Sequence, residues 1–156
     1  MQKNEKIAEV LNDLIEINND RVKGYTKAAD EAKEADADLK VMFTTMAAES
    51  KKYASELSVE VYNHGAEAAT DTTARGKIYR VWMDVKAAFT GHNRQLLLQS
   101  CEYGEEAAQK AYSDALASEA EINADVRKLI TRQQADLKTA LNSIKKQRDL
   151  SKAVEA

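Results

Sequence analysis

Asn18, Ser50, Glu105 and Gln133 each stand where an apolar helical stripe should be most deeply buried. Four helices with one polar residue apiece at mid-length would form a polar layer across the waist of a bundle. When such a layer is built from two lone glutamates and two Glu-x-x-His pairs, it holds two metal ions. Here one of the four positions is a carboxylate, and no Glu-x-x-His occurs anywhere in the chain. The corresponding slot on the second helix reads Ser50-Lys51-Lys52-Tyr53, and on the fourth Gln133-Gln134-Ala135-Asp136.

The surrounding residues favour hydrogen bonding over metal chemistry. Glu105 and Tyr112 are two helical turns apart and share a face, as Asn18 and Tyr25 do on the first helix. Asn, Ser, Gln and Tyr donate and accept, and Glu105 can pair with Arg21, with Asn18 and Gln133 as further candidates at its level. A buried layer of this kind is tolerable when every member finds a partner. The expected layer is therefore Asn18, Arg21, Tyr25, Ser50, Tyr53, Glu105, Tyr112 and Gln133, with no metal and no catalytic residue. The competing reading is an iron or manganese site on Glu105 and Glu49, although Glu49 falls on the flank of its stripe and reads first as a surface residue. A neutral ring with a single carboxylate is a poor home for either metal.

Other reactive side chains read as structural. His64 closes a helix and His92 follows Gly91, and neither has a second ligand at helical spacing. Cys101 lies on an apolar face with no histidine near it to activate the thiol. Trp82, with Val81, Val85 and Phe89, forms a short apolar ridge that is expected to cover the core rather than to bind a partner. Phosphate-binding loops, hydrolase elbows and Cys/His clusters are absent.

Four amphipathic segments must position the layer, at about residues 4–33, 38–63, 92–117 and 123–148. Asp36 and Asn123 are the expected caps of the second and fourth, His64-Gly65 suits a helix end, and residues 149–156 are expected to fray. The short 34–37 link makes the first two helices antiparallel. The connection 65–91 is long enough to cross a bundle and carries the Trp82 helix, which would set the third helix parallel to the second. A faint internal repeat fits this arrangement: Asn18 and Tyr25 align with Glu105 and Tyr112, and Ser50 and Tyr53 align with Gln134 and Leu137.

Composition agrees with an all-α chain. Its 156 residues are 44% hydrophobic and 31% charged, with no proline and 5 glycines, which suits one helical domain with a substantial core. The net charge of −3 comes from interspersed signs, with no basic block for nucleic acid or an anionic membrane. No apolar run approaches the ~18 residues of a membrane span. The start MQKNEKIAEV lacks a signal peptide's apolar stretch, and the single cysteine suits a reducing cytoplasm. Self-association is left open.

Two stretches carry a resemblance. RVWMDVKAAFTG followed by LLLQSCEYGEEAAQKAYSDAL resembles the signature of a bacterial four-helix-bundle family of unknown function in the ferritin-like superfamily. LNDLIEINNDRVKGYTKAADEA is similar to that family's first helix, and residues 129–148 to its last. The R-x-W-x-x-x-K core and the GEEAA-x-x-AY run are its specific parts. The resemblance implies a relative of rubrerythrin without established catalysis, and a ferritin-like four-helix bundle with a helical crossover. It also places the superfamily's metal positions at Asn18, Ser50, Tyr53, Glu105 and Gln133 or Gln134, nearly all of which depart from the metal pattern. The resulting expectation is a structural or interaction protein whose metal layer has become a polar network.

Overall fold

The computed structural model of the chain describes residues 2–32, 36–70, 94–118 and 120–155. These residues form four helices and no strand: α1 (Gln2–Glu31), α2 (Ala37–Asn63), α3 (Arg94–Leu116) and α4 (Ala124–Glu155). Alanine and long unbranched side chains, with no proline to break a helix interior, make segments of this length possible. What holds them together is one shared core. Leu11, Leu14, Phe43, Leu57, Leu98, Ile130, Leu137 and Ile144 are all fully buried within it.

Side-chain pairs fix the directions of the helices. Asn18 meets Ser50, and Tyr25 packs on Phe43 with ring centroids 5.6 Å apart, so α1 and α2 run antiparallel. Tyr112 meets Gln133, and Arg148 pairs with Glu102, so α3 and α4 do the same. Arg94, at the start of α3, binds Asp36 and Asp38 at the start of α2, and Ser151 and Gln147 near the end of α4. The starts of α2 and α3 are thus at one end of the molecule. The end of α2 and the start of α3 therefore lie at opposite ends of the helices.

The helix ends follow local chemistry, with two departures. Gly65 takes φ 76° just past α2, and the Ala66 amide bonds back to the Val61 carbonyl at 3.2 Å, as in a glycine-terminated helix end. Asn123 caps α4 by accepting from the Val126 amide at 2.9 Å. Asp36 does not cap α2 with its side chain, because its carboxylate is held by Arg94 at 2.7 Å. The end of α4 does not fray at 149: helix continues to Glu155, with Ser151 buried and receiving a hydrogen bond from Arg94. α1 also buries more than one stripe, since Ala8, Ile15, Ile17 and Asp20 are withdrawn from water beside the expected positions. Residues 66–70 start back along α1, where Asn12 donates to the Glu67 carbonyl at 3.0 Å and accepts from the Ala69 amide at 2.8 Å. No helix among the described residues is long and apolar enough to cross a membrane.

Candidate functional site

Each of the four polar interruptions reaches the same level of the core, because each replaces one apolar residue in a stripe that already faces inward. Asn18, Arg21, Ser50, Glu105 and Gln133 are completely buried there. Their polar atoms form a chain through all four helices. From α1, Tyr25 Oη donates to Glu105 Oε1 at 2.6 Å, and Arg21 Nε donates to the same oxygen at 2.8 Å. Arg21 Nη1 donates to Ser50 Oγ on α2, which in turn donates to Asn18 Oδ1 at 3.1 Å. Asn18 Nδ2 donates to Tyr112 Oη at 2.8 Å and to the Leu14 carbonyl at 2.9 Å. Tyr112 Oη donates to Gln133 Oε1 at 2.7 Å, and Gln133 Nε2 ends the chain on the Tyr53 carbonyl at 3.2 Å. Every donor from Arg21 onward points the same way.

The charged pair is the centre of this network. Arg21 Nη2 also lies 2.8 Å from Glu105 Oε1, at an angle that leaves Nη2 and Glu105 Oε2 without hydrogen bonds among the described residues. Burial opposes the guanidinium's charge, but Glu105, Tyr25 and Tyr112 more than offset that penalty and hold Arg21 above its usual range. The Tyr25 ring adds a cation–π contact at 5.2 Å. Desolvation, reinforced by Glu105, pushes the Tyr25 hydroxyl and the Cys101 thiol well up. Desolvation does the same to Tyr112. At neutral pH these groups therefore keep their protons. In that form the thiol is not a thiolate and the phenols are not phenolates.

The internal repeat takes an unexpected form. Tyr25 bonds Glu105, and Tyr112 bonds Asn18, so each tyrosine serves the polar residue of the other helix rather than its own. The fourth-helix member of the layer is Gln133. Gln134, which the repeat aligns with Ser50, instead binds the Gln109 carbonyl and Ser113 toward the surface.

The remaining sequence candidates separate. Tyr53 contributes its backbone carbonyl to the layer, while its side chain lines a groove between α2 and α4. Glu49 lies in that groove, half-buried rather than on the open surface, with its carboxyl held above the usual range by desolvation. Glu105 is engaged by Arg21 and Tyr25 instead of sharing a ligand with Glu49. His64 Nδ1 sits 2.7 Å from the Glu60 carbonyl at the end of α2. His92 and the Val81, Trp82, Val85 and Phe89 ridge lie outside the described residues. Sequence reasoning missed Glu56, which approaches Gln133 Nε2 and pairs with Arg132, and the Arg94 cluster. A lone arginine following a long connection gives no periodic signal.

The donor set does not fit a di-metal centre. Among the described residues no three His, Cys, Asp or Glu side chains converge as metal ligands. A guanidinium already sits against the layer's one carboxylate, where a dication would meet like charge at close range.

The profile of a family described as a domain of unknown function (DUF2383) matches residues 6–118. The chain belongs to this DUF2383 family. The matched span takes in most of α1 and all of α2 and α3, hence Asn18, Arg21, Ser50 and Glu105, and ends before the helix that supplies Gln133. No curated protein matches the chain.

Proposed function

We propose that this DUF2383 protein is a non-catalytic, ferritin-like bundle related to rubrerythrin, in which a resident ion pair stands where a di-metal centre would be. On this reading it acts in the cytoplasm as a structural or interaction protein. The observation that carries the proposal is the buried contact between Arg21 and Glu105, which supplies the layer's positive charge from the chain itself. A cation tethered to α1 needs no metal supply and neither gains nor loses electrons. The hydrogen-bonded chain on both sides of it fixes the register of four helices, a known use of buried polar groups.

Elemental analysis of protein purified without chelator tests the reading. The expected result is iron, manganese and zinc far below one atom per chain, no ferroxidase activity, and a melting temperature unmoved by added ferrous or manganous ion. About one tightly held transition metal per chain, with stability lost on chelation, would overturn it in favour of a site on Glu105 and Glu49.

A further inference from the structure

We propose that the polar layer holds one internal water molecule, which accepts a hydrogen bond from Arg21 Nη2 and donates one to Glu105 Oε2. The inference rests on the resident ion pair of the preceding section and adds the neutral ligand that completes it. Both side chains are fully buried, and among the described residues these two atoms are the buried side-chain polar atoms without a hydrogen bond. Their chemistry is complementary, since a guanidinium nitrogen only donates and a carboxylate oxygen only accepts. Atoms of charged groups also lose more than neutral ones when left unpaired out of water.

The rest of the layer is already engaged. Ser50 Oγ takes Arg21 Nη1, and Asn18 is bonded to Ser50, Tyr112 and the Leu14 carbonyl. Arg21 Nε and the Tyr25 hydroxyl both hold Glu105 Oε1, which sets the turn of the carboxyl and leaves Oε2 without a donor. The spacing suits a single bridging oxygen. Nη2 lies 2.8 Å from Oε1. The two oxygens of one carboxyl are closer together than that, so Nη2 and Oε2 fall within the about 5.6 Å that two hydrogen bonds through one water can span. The residues beside Glu105 on the inner face of α3 are small, namely Cys101, Gly104 and Ala108, and the α2 member of the layer is a serine.

Charge selects the occupant. A metal ion or an ammonium would be repelled by the guanidinium, and an anion by Glu105. A neutral molecule with both a donor and an acceptor meets neither objection, and water is the smallest. Internal waters commonly answer buried polar atoms that the chain itself leaves over. Because Arg21 and Glu105 expose nothing to solvent, this water exchanges only when the α1–α2 pair and the α3–α4 pair part. Its residence time therefore measures how often the bundle opens at its waist.

Two measurements on the full chain test it. A high-resolution crystal structure should show one oxygen-sized peak within hydrogen-bond distance of both Nη2 and Oε2, with no anomalous signal at the iron or manganese edge. A carboxyl turned so that its two oxygens each take one guanidinium nitrogen, with no peak beside them, overturns the water and leaves the ion-pair reading intact. An anomalous peak between the two side chains overturns both. In solution, oxygen-17 relaxation dispersion counts waters held longer than the molecule tumbles. Exchanging the pair through Arg21→Met with Glu105→Leu, a replacement that buried ion pairs often tolerate, should lower that count by one. An unchanged count in the folded double variant overturns the proposal, and if that variant does not fold the crystal structure decides alone.

Discussion

Arg21 on α1 and Glu105 on α3 are separated by 84 residues of sequence, meet at 2.8 Å, and expose none of either side chain to water. Breaking such a pair by removing one member costs about 3–5 kcal/mol, because the survivor is left charged and dry. Glu105→Gln should fall in that range. Arg21→Met alone should be comparably harmful, while the double variant should lose clearly less than the sum of the singles. Urea melts of the three variants decide it, and strictly additive losses would mean that the contact carries no energy.

The two tyrosines should differ in importance. Tyr112 Oη both accepts from Asn18 and donates to Gln133, whereas the Glu105 oxygen that Tyr25 serves is also held by Arg21. Tyr112→Phe strands two buried groups at about 1–3 kcal/mol each. Tyr25→Phe strands none outright. The expected order of stability is parent, Tyr25→Phe, then Tyr112→Phe, and the reverse order of the two variants would refute the directional chain of donors.

Alkaline solution should unfold the protein through the same layer. Tyr25, Tyr53, Tyr112 and Cys101 all have pKa values raised in the fold, chiefly by desolvation. The folded chain then keeps protons that the unfolded chain releases above the ordinary values of 9.0 for the thiol and 10.0 for the phenols. Their stabilisation is complete below about pH 9 and is lost as pH climbs, by up to about 1.4 kcal/mol per group per pH unit. Urea midpoints between pH 8 and 11 should fall ever more steeply. Phenylalanine at position 112 should flatten the slope. A midpoint that is constant to pH 11 would contradict the burial of these hydroxyls.

Arg94 should govern how well the ends of α2 and α4 hold. It joins Asp36, Asp38, Gln147 and Ser151, and keeps about a quarter of its surface in water. Arg94→Ala should cost about 1–3 kcal/mol and speed amide hydrogen exchange in residues 149–153. Lysine at this position should recover little, since it lacks the planar fork that grips two carboxylates. Exchange that is uniform along α4 in the variant would show that the terminus is held by something else.

How far these features could be foreseen depends on what periodicity encodes. A polar residue interrupting an apolar stripe announces its own burial, so Asn18, Ser50, Glu105 and Gln133 were legible. Which of them touch is a matter of rotation between helices, and the crossed bonds of Tyr25 and Tyr112 had no sequence signature. Asp36 has the composition of a cap, but a guanidinium offers it a full charge and stronger hydrogen bonds than the backbone amides it would otherwise serve. The end of α4 looked dispensable because Arg94, which anchors Ser151, lies 57 residues away. Ile17 and Asp20 were overlooked because one stripe per helix was assumed. Glu49 sits at a stripe's edge, where a small turn of the helix separates surface from groove.

The paired charges of the polar layer belong to different hairpins. α1 and α2 contain the buried guanidinium, and α3 and α4 contain the carboxylate that answers it. Either hairpin alone would bare to water the apolar face and the charge that the other covers, so neither half is expected to fold by itself. Cleaved between positions 70 and 94, the protein should yield two fragments that are unstructured apart and reassemble when mixed. Their recognition would be electrostatic at its centre and would discriminate against pairing with themselves: two first halves would oppose cation to cation, and two second halves anion to anion.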